Sequence, residues 1–138
     1  EDFGENWRAV DLPIVTGSTA GAFTVVFADR ETGFVLGGAL GQADGFTDNA
    51  VRSDDGGTTW RLIGRPPFPG AVYGAAVSAG GQRLGLLAAG PGGLGWSDDA
   101  GESWRLLDDA SHWAVGTDGE TAWGVGPAGR IIQLTWPD

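Results

Sequence analysis

The sequence predicts an all-β repeat protein built of small antiparallel sheets, and three observations carry that prediction. Two eight-residue cassettes, SDDGGTTW at 53–60 and SDDAGESW at 97–104, fit one pattern, Ser-x-Asp-x-Gly-x-(Thr/Ser)-Trp, with their tryptophans 44 residues apart. A degraded third copy opens the chain: EDFGENW keeps Asp2, Gly4 and Trp7 at the same relative spacing, and arginine follows each tryptophan (Arg8, Arg61, Arg105). A period of this size, carrying a turn and a tryptophan, marks a repeat whose unit is one small sheet. Finally, 26 glycines and 7 tryptophans without sustained helical periodicity suit short strands, tight turns and aromatic packing, with helix almost absent.

The cassette has a physical reading that needs no ligand. Asp and Ser side chains accept hydrogen bonds from backbone N–H groups a few residues on, and Gly tolerates the positive φ of a tight connection. Ser53, Asp55, Gly57 and Thr59, like Ser97, Asp99, Gly101 and Ser103, therefore predict a self-satisfied hairpin turn. The Trp-Arg-Leu that follows alternates as a strand, which buries Trp60 or Trp104 against a neighbouring sheet and turns the arginine outward.

The cassettes closely resemble the Asp-box, or BNR, repeats of sialidase-like and sortilin-like β-propellers. The flanking stretches TAGAFTVVFADRETGFVLGG (19–38), NAVRSDDGGTTW, GLGWSDDAGESWRLL and SHWAVGTDGETAWGVGPAGRIIQL (111–134) narrow the resemblance. They look like the C-terminal blades of exported bacterial proteins of the photosystem II stability/assembly-factor type. The resemblance implies a β-propeller fold, an exported (periplasmic or extracellular) location and a role in assembly through protein binding, with the boxes away from any active site.

Laid over one another, the repeats predict a single propeller segment over 1–138, made of about three four-stranded antiparallel blades. Blade one, within 22–64, uses strands at 23–29, 32–38, 49–54 and 58–63 from inside to outside. Blade two, within 71–109, repeats them at 72–78, 83–90, 93–98 and 103–108. Blade three, within 111–138, has strands at 112–118, 121–126 and 130–136 and lacks an outer strand. Residues 1–10 read as an outer strand without the three inner ones, so the two ends are complementary halves of one blade. Rings have typically about four to eight blades. Two arrangements would complete this one: a segment of a longer propeller, or two copies exchanging end strands into a six-bladed homodimeric ring.

Composition narrows the partners. The chain of 138 residues suffices for one domain, burying roughly 68% of its unfolded surface. With 18 acidic residues against 8 basic ones, all arginine, the net charge of −10 repels nucleic acid and anionic membrane surfaces. No apolar run approaches the roughly 18 residues of a membrane-spanning helix. Cysteine is absent, which removes disulfides and thiolate chemistry. Methionine is absent too, and no signal peptide is visible, so the chain reads as a processed or excised piece.

Recognition is expected on the face opposite the boxes, where the second-to-third-strand loops and the blade-to-blade connections emerge. The loop GALGQADGFTDNA in blade one is much longer than the GPGGL that corresponds to it in blade two. Loops on a rigid scaffold carry binding functions. The candidates are Asp44, Asp48 and Asn49 in the insertion, with Arg65, Phe68 and His112 in neighbouring connections. The same residue types also suit a solvated loop with proline-stiffened linkers, and a lone histidine beside an innermost strand is commonly a hydrogen-bonded packing residue. Neither cassette supplies the alternating oxygen ligands and closing Glu of an EF-hand calcium loop. Asp44 and Asp48 alone make a weak case for calcium, and no metal or cofactor is assigned.

Glycoside hydrolysis is the rival function. Sialidase chemistry needs an arginine cluster, a tyrosine nucleophile beside a carboxylate, and an acid. Tyr73 is the single tyrosine, while Arg8, Arg61 and Arg105 recur at one outer-strand position. The expectation is therefore a non-catalytic scaffold that binds a protein partner through top-face loops. The alternative is a piece of a hydrolase or glycan-binding propeller whose site lies mostly elsewhere.

Overall fold

The computed structural model describes residues 4–42, 44–78 and 83–136. Ala20–Phe27 (β1), Gly33–Ala39 (β2), Ala50–Ser53 (β3) and Arg61–Leu62 (β4) form one antiparallel sheet in the order β1-β2-β3-β4. Gly74–Val77 (β5), Leu86–Gly90 (β6), Gly93–Ser97 (β7) and Arg105–Asp108 (β8) form a second in the order β5-β6-β7-β8. Ala114–Thr117 (β9), Thr121–Val125 (β10) and Ile131–Thr135 (β11) form a third, in the order β11-β10-β9. A 3₁₀ turn at Pro127–Gly129 is the helical element among the described residues. Each sheet is a meander, and β5, the innermost strand of the second, touches both β1 and β9. This is the blade arrangement of a partial β-propeller.

The hairpins follow from local chemistry. Asp29 accepts the N–H groups of Glu31 and Thr32 (2.8 and 2.7 Å), and Asp118 accepts those of Glu120 and Thr121 (2.9 and 2.7 Å), so the first-to-second-strand turns of blades one and three are the same device. The outer strand expected at 58–63 is shortened to Arg61–Leu62 because Thr59 gives its N–H to the Asp55 carboxylate instead of a ladder partner.

Alternation across the strands sorts side chains onto the two faces of each blade. Phe34, Leu36 and Ala50 of blade one meet Val72, Ala75, Leu86 and Ala88 of blade two around Phe68. Leu87, Ala89, Leu94 and Trp96 of blade two meet Val115, Ala122, Ile132 and Leu134 of blade three, with Trp96 and Trp136 ring centroids 5.1 Å apart. Residues at or near full burial on both seams make the blades one packed unit.

Both ends of the arc are open. Residues 4–10 form no strand, and β11 carries no outer neighbour among the described residues. The reason is placement. Blade two separates blades one and three, so an N-terminal outer strand has no third strand of its own chain within reach. The outward faces of the end blades are apolar and open, with Val25 59% and Ile131 66% exposed. Leu12 and Ile14 cover only the outer part of blade one's free face, over Val35, Val51 and Trp60.

Candidate functional site

The two boxes are built identically. In the first, Ser53 Oγ accepts from Gly57 N (2.8 Å) and donates to Asp55 Oδ1 (2.8 Å), while Asp55 accepts from Thr59 N (2.8 Å) and Thr59 Oγ1 (2.6 Å). In the second, Ser97, Asp99, Gly101 and Ser103 repeat all four bonds at 2.8, 2.8, 2.8 and 2.6 Å. Gly57 and Gly101 share φ +86°, a conformation that L side chains rarely adopt. Each tryptophan closes the turn, Trp60 Nε1 donating to Gly57 O and Trp104 Nε1 to Gly101 O, both at 3.0 Å. Trp104 also donates to Gly64 O of the preceding blade (2.9 Å), which staples blade two to blade one.

The carboxylates are therefore consumed internally. The Thr59 hydroxyl and then its amide hold Asp55 down to about 2. Asp99 is pushed up by partial burial, yet the Ser103 hydroxyl and amide leave it lowered overall. The same face carries the first-to-second-strand turns, and Gly56 N donates to Glu31 O (2.8 Å), tying box to turn. A carboxylate that already accepts three bonds from its own turn has little left for a substrate or ion.

On the opposite face lies a cleft of about 380 Å³ between blades one and two. Its walls are Ala39 at the end of β2, Leu40, Gly41 and Asp44 from the β2–β3 loop, Pro69 to Ala71 and Tyr73 from the blade connection, and Pro91 and Gly92 from the β6–β7 turn. Backbone bonds clamp these walls together: Gly70 N donates to Gly45 O (2.8 Å), Val72 N to Gly37 O (2.7 Å) and Tyr73 N to Ala89 O (2.8 Å). At Gly92 a Cβ would fall on the Pro69 carbonyl oxygen, so that approach requires glycine. Tyr73 is partly exposed and stands edge-on to Phe23, with centroids 6.1 Å apart.

The BNR/Asp-box repeat model matches residues 51–62, the first box with its flanking strands. The chain thus carries an Asp-box repeat on the fold of a partial β-propeller. The solved structure of YCF48 bound to D1 peptide is similar to it, with a TM-score of 0.63 and 23% identity over 92% of this chain and 39% of that one. The segment thus spans well under half of that protein's length, and the likeness establishes the fold. No curated protein matches the chain by sequence.

Of the six residues expected to rim a binding surface, the segment exposes three. Asp44 lines the cleft. Asp48 and Arg65 form a two-pronged ion pair (Nη2 2.9 Å, Nε 3.1 Å) that ties the long loop to the blade connection. The other three are interior. Phe68 fills the seam between blades one and two, because the Pro-rich connection dips between the sheets instead of crossing over them. Asn49 is buried with its Oδ1 unpartnered, and its backbone oxygen accepts from Gly37 N (2.9 Å).

His112 is fully buried, with Nε2 3.0 Å from Asp108 Oδ2, to which Arg130 Nη2 also donates (2.7 Å). Asp108 is held down to about 2, first by the Ala110 amide, then, against partial burial, by His112 and Arg130. This trio locks the connection into blade three and leaves His112 no open side. Asp2 lies outside the described residues, whereas Gly4 and Trp7 keep the box geometry, with φ +86° and Trp7 Nε1 donating to Gly4 O at 2.8 Å. Among the described residues no three His, Cys, Asp or Glu side chains converge as a metal site would require. Sequence reasoning missed the cleft-forming role of Leu40, Pro69, Tyr73 and Pro91. The length difference between the two β-loops was the available signal.

Proposed function

We propose that this segment is a non-catalytic binding scaffold that takes a protein partner on its top-face loops, at the cell envelope and as part of a larger propeller. The supporting observation is the division between its faces. The box face spends its polar groups on itself, whereas the opposite face presents a concave, backbone-clamped cleft lined by the exposed apolar side chain of Leu40. YCF48, of the same fold, is described with a bound peptide, which supports peptide recognition as a use of this architecture. The remaining blades come from further sequence or from a second copy that exchanges end strands. The open faces of blades one and three and the edge of β11, unpaired among the described residues, favour completion by one of these.

The hydrolase reading has less support. No arginine lines the cleft that holds Tyr73, and Arg61 is engaged on the outer strand, 2.7 Å from Glu102. The test is a paired screen of the purified chain on a tiled peptide array and on a glycan array with sialoside-hydrolysis readout. Peptide binding without hydrolysis is expected, and turnover of a sialoside would overturn the scaffold reading.

A further inference from the structure

We infer that the cleft between blades one and two receives the side chain of an arginine or lysine from an extended partner segment, an assignment that rests on the scaffold reading above. Charge is the first observation. Asp48 is paired with Arg65, Asp54 with Arg52 and Arg61, Asp98 with Arg83, and Asp108 with Arg130. Asp44 alone supplies a charge to the cleft, and no basic group pairs with it among the described residues. A chain of net charge −10 adds a long-range field of the same sign. An anionic side chain entering here would meet repulsion and no donor cation.

The shape of the walls fits the same guest. Leu40, Pro69 and Pro91 offer apolar surface to an aliphatic stem, Tyr73 offers an aromatic ring, and Asp44 stands on the loop side for the charged head. Proline and an aromatic ring beside backbone groups also suit an extended main chain running over the cleft. The clamps from Gly70 to Gly45 and from Tyr73 to Ala89 fix the walls before the guest arrives, which lowers the ordering cost of binding.

The experiment is a ¹H–¹⁵N NMR titration of the chain with two blocked pentapeptides, identical except for a central Arg or Glu. The Arg peptide is expected to shift the amides of Gly41, Gly70 and Gly92 saturably and more weakly at high salt, and the Glu peptide to leave them in place. Asp44→Asn, on an exposed loop, should weaken the Arg peptide on the order of tenfold, as expected for losing one charge-assisted bond, with the remaining spectrum unchanged. Equal binding of both peptides in the cleft, or an Asp44→Asn effect under about twofold, overturns the assignment. Shifts confined to other top-face loops overturn it while sparing the scaffold reading, which sialoside turnover would sink instead.

Discussion

The box of blade two and the described part of its degraded copy at the N-terminus share a glycine conformation and a tryptophan closure and differ in surroundings. Gly4 and Gly101 have the same φ of +86°, and both tryptophans close the turn onto that glycine's carbonyl, at 2.8 and 3.0 Å. Yet Trp7 is 90% exposed, whereas Trp104 is partly buried and reaches Gly64 of the preceding blade. The turn is thus written in a few neighbouring residues, while burial of the indole is supplied by the next sheet along the arc. A cassette is a local fold first and an inter-blade staple only where a blade is present to receive it.

The sharpest way to break this comparison is to truncate both indoles. Trp104→Ala should cost about 3 kcal/mol, the lower end of the range for large aromatics because the ring is only partly buried. Trp7→Ala should stay within about 0.5 kcal/mol, as for other surface changes. Urea unfolding of the two variants reads the difference, and equal costs would remove the staple. Ser97→Ala comes next, since Ser97 is buried and its hydroxyl holds both Gly101 N and the Asp99 carboxylate; about 1–3 kcal/mol is expected from the same measurement.

Acid should act on the boxes and on the blade-three lock together. Asp55 and Asp108 titrate near 2 in the folded chain, below the ordinary 3.8 of an aspartate. A depressed folded pKa means that the unfolded chain takes up protons first. The stabilisation is therefore complete above about pH 4 and is lost as pH falls towards 2. The urea midpoint should fall across that window, and Asp108→Asn should flatten part of the fall. A small effect is expected at the rim: Arg65→Ala removes an exposed ion pair to Asp48 and should cost about 0.2–1 kcal/mol, less at high salt.

Much of the fold was legible because its signals are local. The boxes, the Asp29 and Asp118 turns and the alternation of Val25-Val26 or Trp123-Gly124 across each ladder are written within a few residues. The binding face was legible only in part, because burial there is decided by distant chain. Phe68 reads as a rim residue between prolines, yet it packs beneath β2 and β6. His112 reads as a connection residue, yet Asp108 and Arg130 enclose it. Asn49 sits at the end of a polar loop and still turns inward. Tyr73 joins the cleft through residues some thirty positions upstream and twenty downstream, a proximity that no local pattern encodes.

Amide hydrogen exchange at Thr59 and Ser103 tests the central claim most directly, since both N–H groups lie outside the strands and donate to a box carboxylate at 2.8 Å. If the cassettes serve the fold alone, these two amides exchange as slowly as neighbouring strand amides, and Asp55→Ala or Asp99→Ala releases only the one it served. Exchange at free-peptide rates in the unaltered chain would mean that the carboxylates are not bound to their own turns, contradicting the account.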